Sequence, residues 1–227
     1  MFSVTIFRTP VKVKLTVLPI LILLWGGLTW FGMSRHPERG FWLSLLVGLA
    51  AALLLLSADF GHALAHIFSA RAAGAPMDEI LIAGDMPRTI YHNNDVAPAV
   101  HRQRALGGPV FNAIGLLLSL AVFALVRGSP VVRELMAFSA VGHGLLLVMS
   151  LFPLPLVDGG TLLKWSLVAA SRTPVQADGI VRGVDWVLGV ALLLIGIGLL
   201  AIQLWIAGGV LTGVGVIVLG AAVGKIK

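Results

Sequence analysis

From Phe41 to about Ala72 the chain reads as one apolar helical run, longer than the roughly 20 residues a bilayer requires. Ionisable side chains are costly in hydrocarbon, so a spanning segment rarely carries them without a use. Here Asp59, His62 and His66 fall within eight residues of the run. Their spacing of i, i+3 and i+7 puts all three on one helical face. Two histidines four apart can grip one metal ion, as in the zinc motif H-E-x-x-H. The acid of that motif stands three before its second histidine, the relation Asp59 bears to His62. Ala58 occupies the place of the motif's first histidine.

Four further apolar runs of spanning length lie at about 15–33, 107–127, 131–152 and 180–206, and a Gly-rich one at about 208–223. With 11% charged residues, against about 25% in a soluble domain, the chain is read as an all-α polytopic membrane protein of about six transmembrane helices. The first run, preceded by Arg8, Lys12 and Lys14, is long enough to span and lacks a small-x-small end, so it reads as a retained span. Residues 74–105 mix β-branched pieces with Asn93-Asn94-Asp95 and prolines, which predicts a small β hairpin or ribbon at the membrane surface. The fourth run breaks at Pro153-Leu154-Pro155, and a short apolar segment follows from Asp158 to about Ala170. Ser171 to Asp178 reads as a polar loop. The whole, 1–227, is expected to be a single membrane domain, with 171–227 forming a C-terminal helical hairpin.

The net charge of +6 is expected to set orientation rather than to bind nucleic acid, since no basic run carries interleaved aromatics. With the N-terminus in the cytoplasm, twelve of the sixteen Lys and Arg fall on the inner side; only Arg35, Arg39, Arg127 and Arg133 fall outside. Both termini, the ribbon, the end of the second span and the proline break are then cytoplasmic. The expected setting is an integral, multi-pass protein of a bacterial-type plasma membrane. Cysteine is absent, which excludes disulfides and thiolate chemistry.

Two more places can carry chemistry. Asp158, before Gly159-Gly160, is either a helix N-cap or a ligand facing the second span. Asn112, one turn into the third span after Gly107-Gly108-Pro109, can hydrogen-bond an extended peptide backbone or a neighbouring helix. His143, between glycines, reads as a helix–helix contact, and His92 and His101 as interfacial residues.

Together these stretches resemble the site-2 protease family of intramembrane zinc metalloproteases, over about 41–170. Ala58-Asp59-Phe60-Gly61-His62-Ala63-Leu64 is similar to the family's His-Glu-x-Gly-His-Ala-Leu. Gly107-Gly108-Pro109-Val110-Phe111-Asn112 is similar to its Ala-Gly-Pro-x-x-Asn. The stretch from Ser150 to Gly160 resembles its Asn-x-x-Pro-x-Pro-x-x-Asp-Gly-Gly. The resemblance implies a helical membrane bundle with zinc near the cytosolic side, transmembrane peptides as substrates, His62 and Asp158 as zinc ligands and Asp59 in the place of the catalytic Glu. Ala58 stands for the family's first His and Ser150 for its Asn. Spacing alone suggests that His66 replaces the lost ligand, with the ion shifted along the helix and about 10 Å of axis between Asp59 and His66. Three functions are compatible with this set: a zinc-dependent intramembrane endopeptidase, a catalytically inactive relative that binds membrane peptides, and a proton-coupled transporter built on the same buried groups.

Overall fold

The computed structural model describes residues 1–84, 87–154 and 157–224. Pro155, the second proline of the expected break, and Lys225 and Lys227, counted above for orientation, lie outside the described residues.

Among the described residues, six helices are long and apolar enough to cross a membrane: α1 (Val17–Arg35), α2 (Phe41–Ala72), α3 (Pro98–Leu125), α4 (Pro130–Leu151), α6 (Pro174–Ala201) and α7 (Trp205–Ala222). The helix α5 (Asp158–Ala169), with 12 residues, is too short to span. Large apolar side chains such as Leu23, Trp30, Leu117 and Ile206 stand exposed along the spanning helices. In water such a surface would be a liability; against acyl chains it is the expected exterior. The chain is an integral, multi-pass membrane protein.

The backbone falls into two compact units. The first comprises Met1–Val96 and Leu106–Met149, the second Ala97–Ala105 and Ser150–Lys227. In the first unit, β1 (Phe2–Ile6), β2 (Thr9–Val13), β3 (Glu79–Ile82) and β4 (Arg88–Ile90) form one sheet in that order. The β3–β4 hairpin lies within the expected ribbon. The β1–β2 hairpin was not expected, because Arg8, Lys12 and Lys14 read as the basic flank of the first span. Phe7 and Arg8 close it with φ of 47° and 57°, the sign at both central residues that a two-residue type I′ turn needs. Pro10 is tolerated because β3 pairs with β2 only from Val11 onward.

β2 and β3 are parallel, and the crossover between them is the α1–α2 hairpin. Two spans therefore leave the sheet and return to it, which fixes both hairpin ends on one side. Lys14 N–H donates to the Ile82 carbonyl at 2.8 Å and Gly84 N–H to Thr16 Oγ1 at 2.9 Å, stitching the exits together. The sheet packs on the last turns of α2: Val11 and Ile80 from the strands meet Ala63, Ile67 and Ala70 from the helix. That apolar seam steadies the part of α2 that carries His62 and His66. Beyond the far end of α1, Arg39 pairs with Glu134 of α4 with both side chains largely buried, as a desolvated ion pair requires.

α3 begins at Pro98, nine residues before the expected start, and runs through Pro109, whose ring frees the Ala105 carbonyl. In the second unit, α6 likewise starts earlier than expected. Thr173 caps it, accepting from Gln176 N–H while the Gln176 side chain accepts from Thr173 N–H, so most of the expected polar loop is helix. α6 and α7 approach closely where Gly189, Gly196, Gly208 and Gly215 remove side chains. His101 is buried, and its ring stacks on Trp165 with centroids 3.7 Å apart.

Contact between α1 and α2 depends on Gly48. A Cβ there would lie 2.3 Å from Thr29 Oγ1 and 2.8 Å from the Thr29 backbone nitrogen. Gly48→Val is therefore expected to destabilise the helix pair by about 1–3 kcal/mol. Gly27→Ala, which meets nothing within 4 Å, is expected to be neutral or slightly stabilising. Thermal unfolding in detergent measures both.

Candidate functional site

α2 presents Asp59, His62 and His66 on one face, as their spacing requires. The Nε2 atoms of His62 and His66 stand 3.2 Å apart, with the rings 74° from coplanar. Two imidazole nitrogens bound tetrahedrally to one zinc at about 2.05 Å are about 3.3 Å apart. The pair is thus at the separation a shared ion needs, and the residues fit the metal. His66 is 4% exposed and His62 half-buried. Asp59, half-buried one turn earlier, is close enough for its carboxylate to interact with the His62 ring. Ala58 is buried and brings no donor.

α3 supplies the wall behind His62. Gly108, Asn112 and Gly115 share a face at i, i+4 and i+7. A Cβ on Gly108 would fall 2.2 Å from His62 Nε2, and one on Gly115 would fall 2.3 Å from His143 Cε1. Each imidazole therefore lies flat on a glycine, with Asn112 between them. Asn112 is fully buried. Its amide Nδ2 stands 2.8 Å from His62 Nδ1 and its Oδ1 2.9 Å from His143 Nδ1. Of the two expectations for Asn112, bonding to neighbouring helices is the one the geometry shows. His143 makes the helix–helix contact expected of it, and Asn112 is its partner. That partnership has no signal in the sequence, since Asn112 and His143 sit on different spans.

In the second unit, Asp158 opens α5. Val157, not Asp158, occupies the cap position, and it makes no side-chain hydrogen bond there. Asp158 is the first helical residue rather than the residue at the cap position. It lies in the first turn, where the helix dipole favours a carboxylate. Gly159 packs on the carbonyls of Leu151 and Phe152 so closely that a Cβ would come within 2.3 Å of both oxygens. The Gly159 in Asp158-Gly159-Gly160 thus lets α5 start directly against the end of α4. His92 is exposed on the sheet side, its backbone N–H donating to Asp78.

No protein-family model matches the chain, and no curated protein matches it by sequence. Among solved structures it is similar to the site-2 protease from Methanocaldococcus jannaschii, with a TM-score of 0.60 at 18% identity. The match covers all of this chain and 96% of that one. The fold is that of a site-2 protease.

The glycine beneath His62 gives a test of the site that spares the ligands. Gly108→Ala is expected to push the His62 ring off its place and weaken zinc binding at least tenfold, while the protein keeps its helical circular dichroism. Zinc titration of the purified protein against a competing chelator measures it.

Proposed function

We propose that the chain is a zinc-binding, site-2-protease-like intramembrane endopeptidase acting on transmembrane peptides. The observation that carries this reading is the His62–His66 pair, whose Nε2 atoms stand at the spacing of two ligands on one tetrahedral ion. Asp158 is the proposed third ligand, the carboxylate that the motif resemblance assigns to zinc. Two imidazoles and one carboxylate are a set used by zinc hydrolases, which keep a fourth position open. A zinc ion held there supplies Lewis acidity and a water acidic enough to be a nucleophile near neutral pH. In this reading His66 would hold the ion beside His62, standing for the missing histidine at Ala58. The substrate class, a membrane-spanning peptide met inside the bilayer, is what the motif resemblance implies.

Asp59 is the proposed general base. It is the only carboxylate on the face of α2 that carries the histidines, and it lies near His62. Its role is to accept a proton as the peptide carbonyl is attacked and to return it to the leaving amine.

One observation favours a second reading, that of a relative which binds membrane peptides without cutting them. In H-E-x-x-H the base follows the first histidine directly. With His62 and His66 as the pair, that position is Ala63, buried and without a proton acceptor. Asp59 must then act from one turn away with a side chain one methylene shorter than Glu.

The two readings separate in reconstituted vesicles containing zinc and a tagged single-span substrate. The endopeptidase reading expects cleavage within the span, reduced at least a hundredfold by Asp59→Asn and abolished by His62→Ala. Stoichiometric zinc with co-purification of the uncut substrate, and no cleavage above the His62→Ala background, establishes the second reading instead. Less than one tenth of an equivalent of zinc in the purified wild type contradicts both.

A further inference from the structure

Four buried or half-buried side chains on three helices form one continuous hydrogen-bonded line: His66, His62, Asn112 and His143. Donor and acceptor roles along such a line are not independent. A neutral imidazole has one N–H and one lone pair, and an amide has a donor end and an acceptor end. With the Asn112 amide oriented so that Nδ2 faces His62, the His62 Nδ1 must accept. The His62 proton is then on Nε2, where it donates to His66 Nε2. At the other end, Asn112 Oδ1 must accept, so His143 carries its proton on Nδ1. Every partner is satisfied, and the line has one sense from His143 to His66.

Metal binding is incompatible with that sense. An ion shared by His62 and His66 needs a lone pair on both Nε2 atoms. His66 already offers one. His62 must move its proton to Nδ1, and Nδ1–H then needs an acceptor where the amide now presents a donor. A half-turn of the Asn112 amide about its terminal bond supplies it: Oδ1 and Nδ2 exchange places with almost no movement of heavy atoms. Nδ2 now faces His143, whose Nδ1 must become the acceptor and whose proton must shift to Nε2. Each ring keeps one proton throughout; only the nitrogen that carries it changes.

We propose that Asn112 is a positioning residue that sets the tautomer of His62, and that zinc binding at His62 and His66 is transmitted through the Asn112 amide to the tautomer of His143. This rests on the zinc reading above. Metal-bound histidines commonly donate their second N–H to a fixed acceptor, and losing that acceptor costs about 10–100-fold in affinity. The amide is better suited to the place than a carboxylate, because only an amide can satisfy the line in both senses. The glycines at 108 and 115 hold both rings flat against α3, so rotation of the amide, rather than of a ring, is the low-cost response.

The test uses the full-length protein in detergent with 15N-labelled histidine, at mildly alkaline pH where imidazole is neutral. Zinc chloride alone is the probe. His143 is assigned by the signal lost in His143→Phe. In the wild type, His143 is expected to change from Nδ1–H to Nε2–H as zinc saturates. In Asn112→Leu, zinc affinity is expected to fall 10–100-fold and His143 to stop responding. Asn112→Asp keeps an acceptor toward both rings, so it should bind zinc about as tightly as the wild type while His143 stays Nδ1–H with and without metal. Zinc binding by the wild type without a change at His143, or unchanged affinity in Asn112→Leu, overturns this inference and leaves the zinc site standing. Failure of the wild type to bind zinc overturns both.

Discussion

A polar group buried among membrane helices must find its partners within the protein, because lipid offers none. The hydrogen-bonded line from His66 through His62 and Asn112 to His143 meets that demand for three helices at once. It ties α2, α3 and α4 in the first unit, and it aims two imidazole nitrogens at one point. The glycines of α3 are what allow it: with a methyl group at 108 or 115, the helix would have to stand away from the ring and Asn112 would lose its reach. Packing and polar satisfaction are therefore one arrangement here, not two.

The sheet acts on the same helix from another direction. Parallel pairing of β2 with β3 forces the two intervening spans to return to one side, and the apolar seam of Val11, Ile67 and Ile80 fixes the last turns of α2. A helix end in a membrane protein is usually free to fray at the interface. This one is clamped by strands that precede and follow it in the chain, which limits how far His62 and His66 can drift from one another.

Much of this was legible in the sequence because the bilayer imposes a length and a polarity on each span. The bounds of α2 were read as the structure has them, and the other spans differ mainly at their ends. Those ends are where apolar content stops being the signal: α3 extends back to Pro98 through a polar stretch, and the Thr173–Gln176 capping box starts α6 inside an apparent loop. The β1–β2 hairpin was hidden by Pro10 and by a turn built without glycine. At the site, a period of four residues was enough to place His62 and His66 on one face. The roles of Asn112 and His143 were not legible, since their meeting depends on how two distant spans pack. Asp158 looked like a cap by residue type, but the helix begins one residue too early for that.

The central claim is that His62 and His66 bind one zinc ion through Nε2 together with a carboxylate. Zinc K-edge X-ray absorption of the purified, zinc-loaded protein measures this directly. The account expects two imidazole nitrogens and oxygen ligands at about 2.0–2.1 Å, with the imidazole scattering halved in His66→Ala. A zinc shell of oxygen alone, or one unchanged by loss of His66, contradicts it.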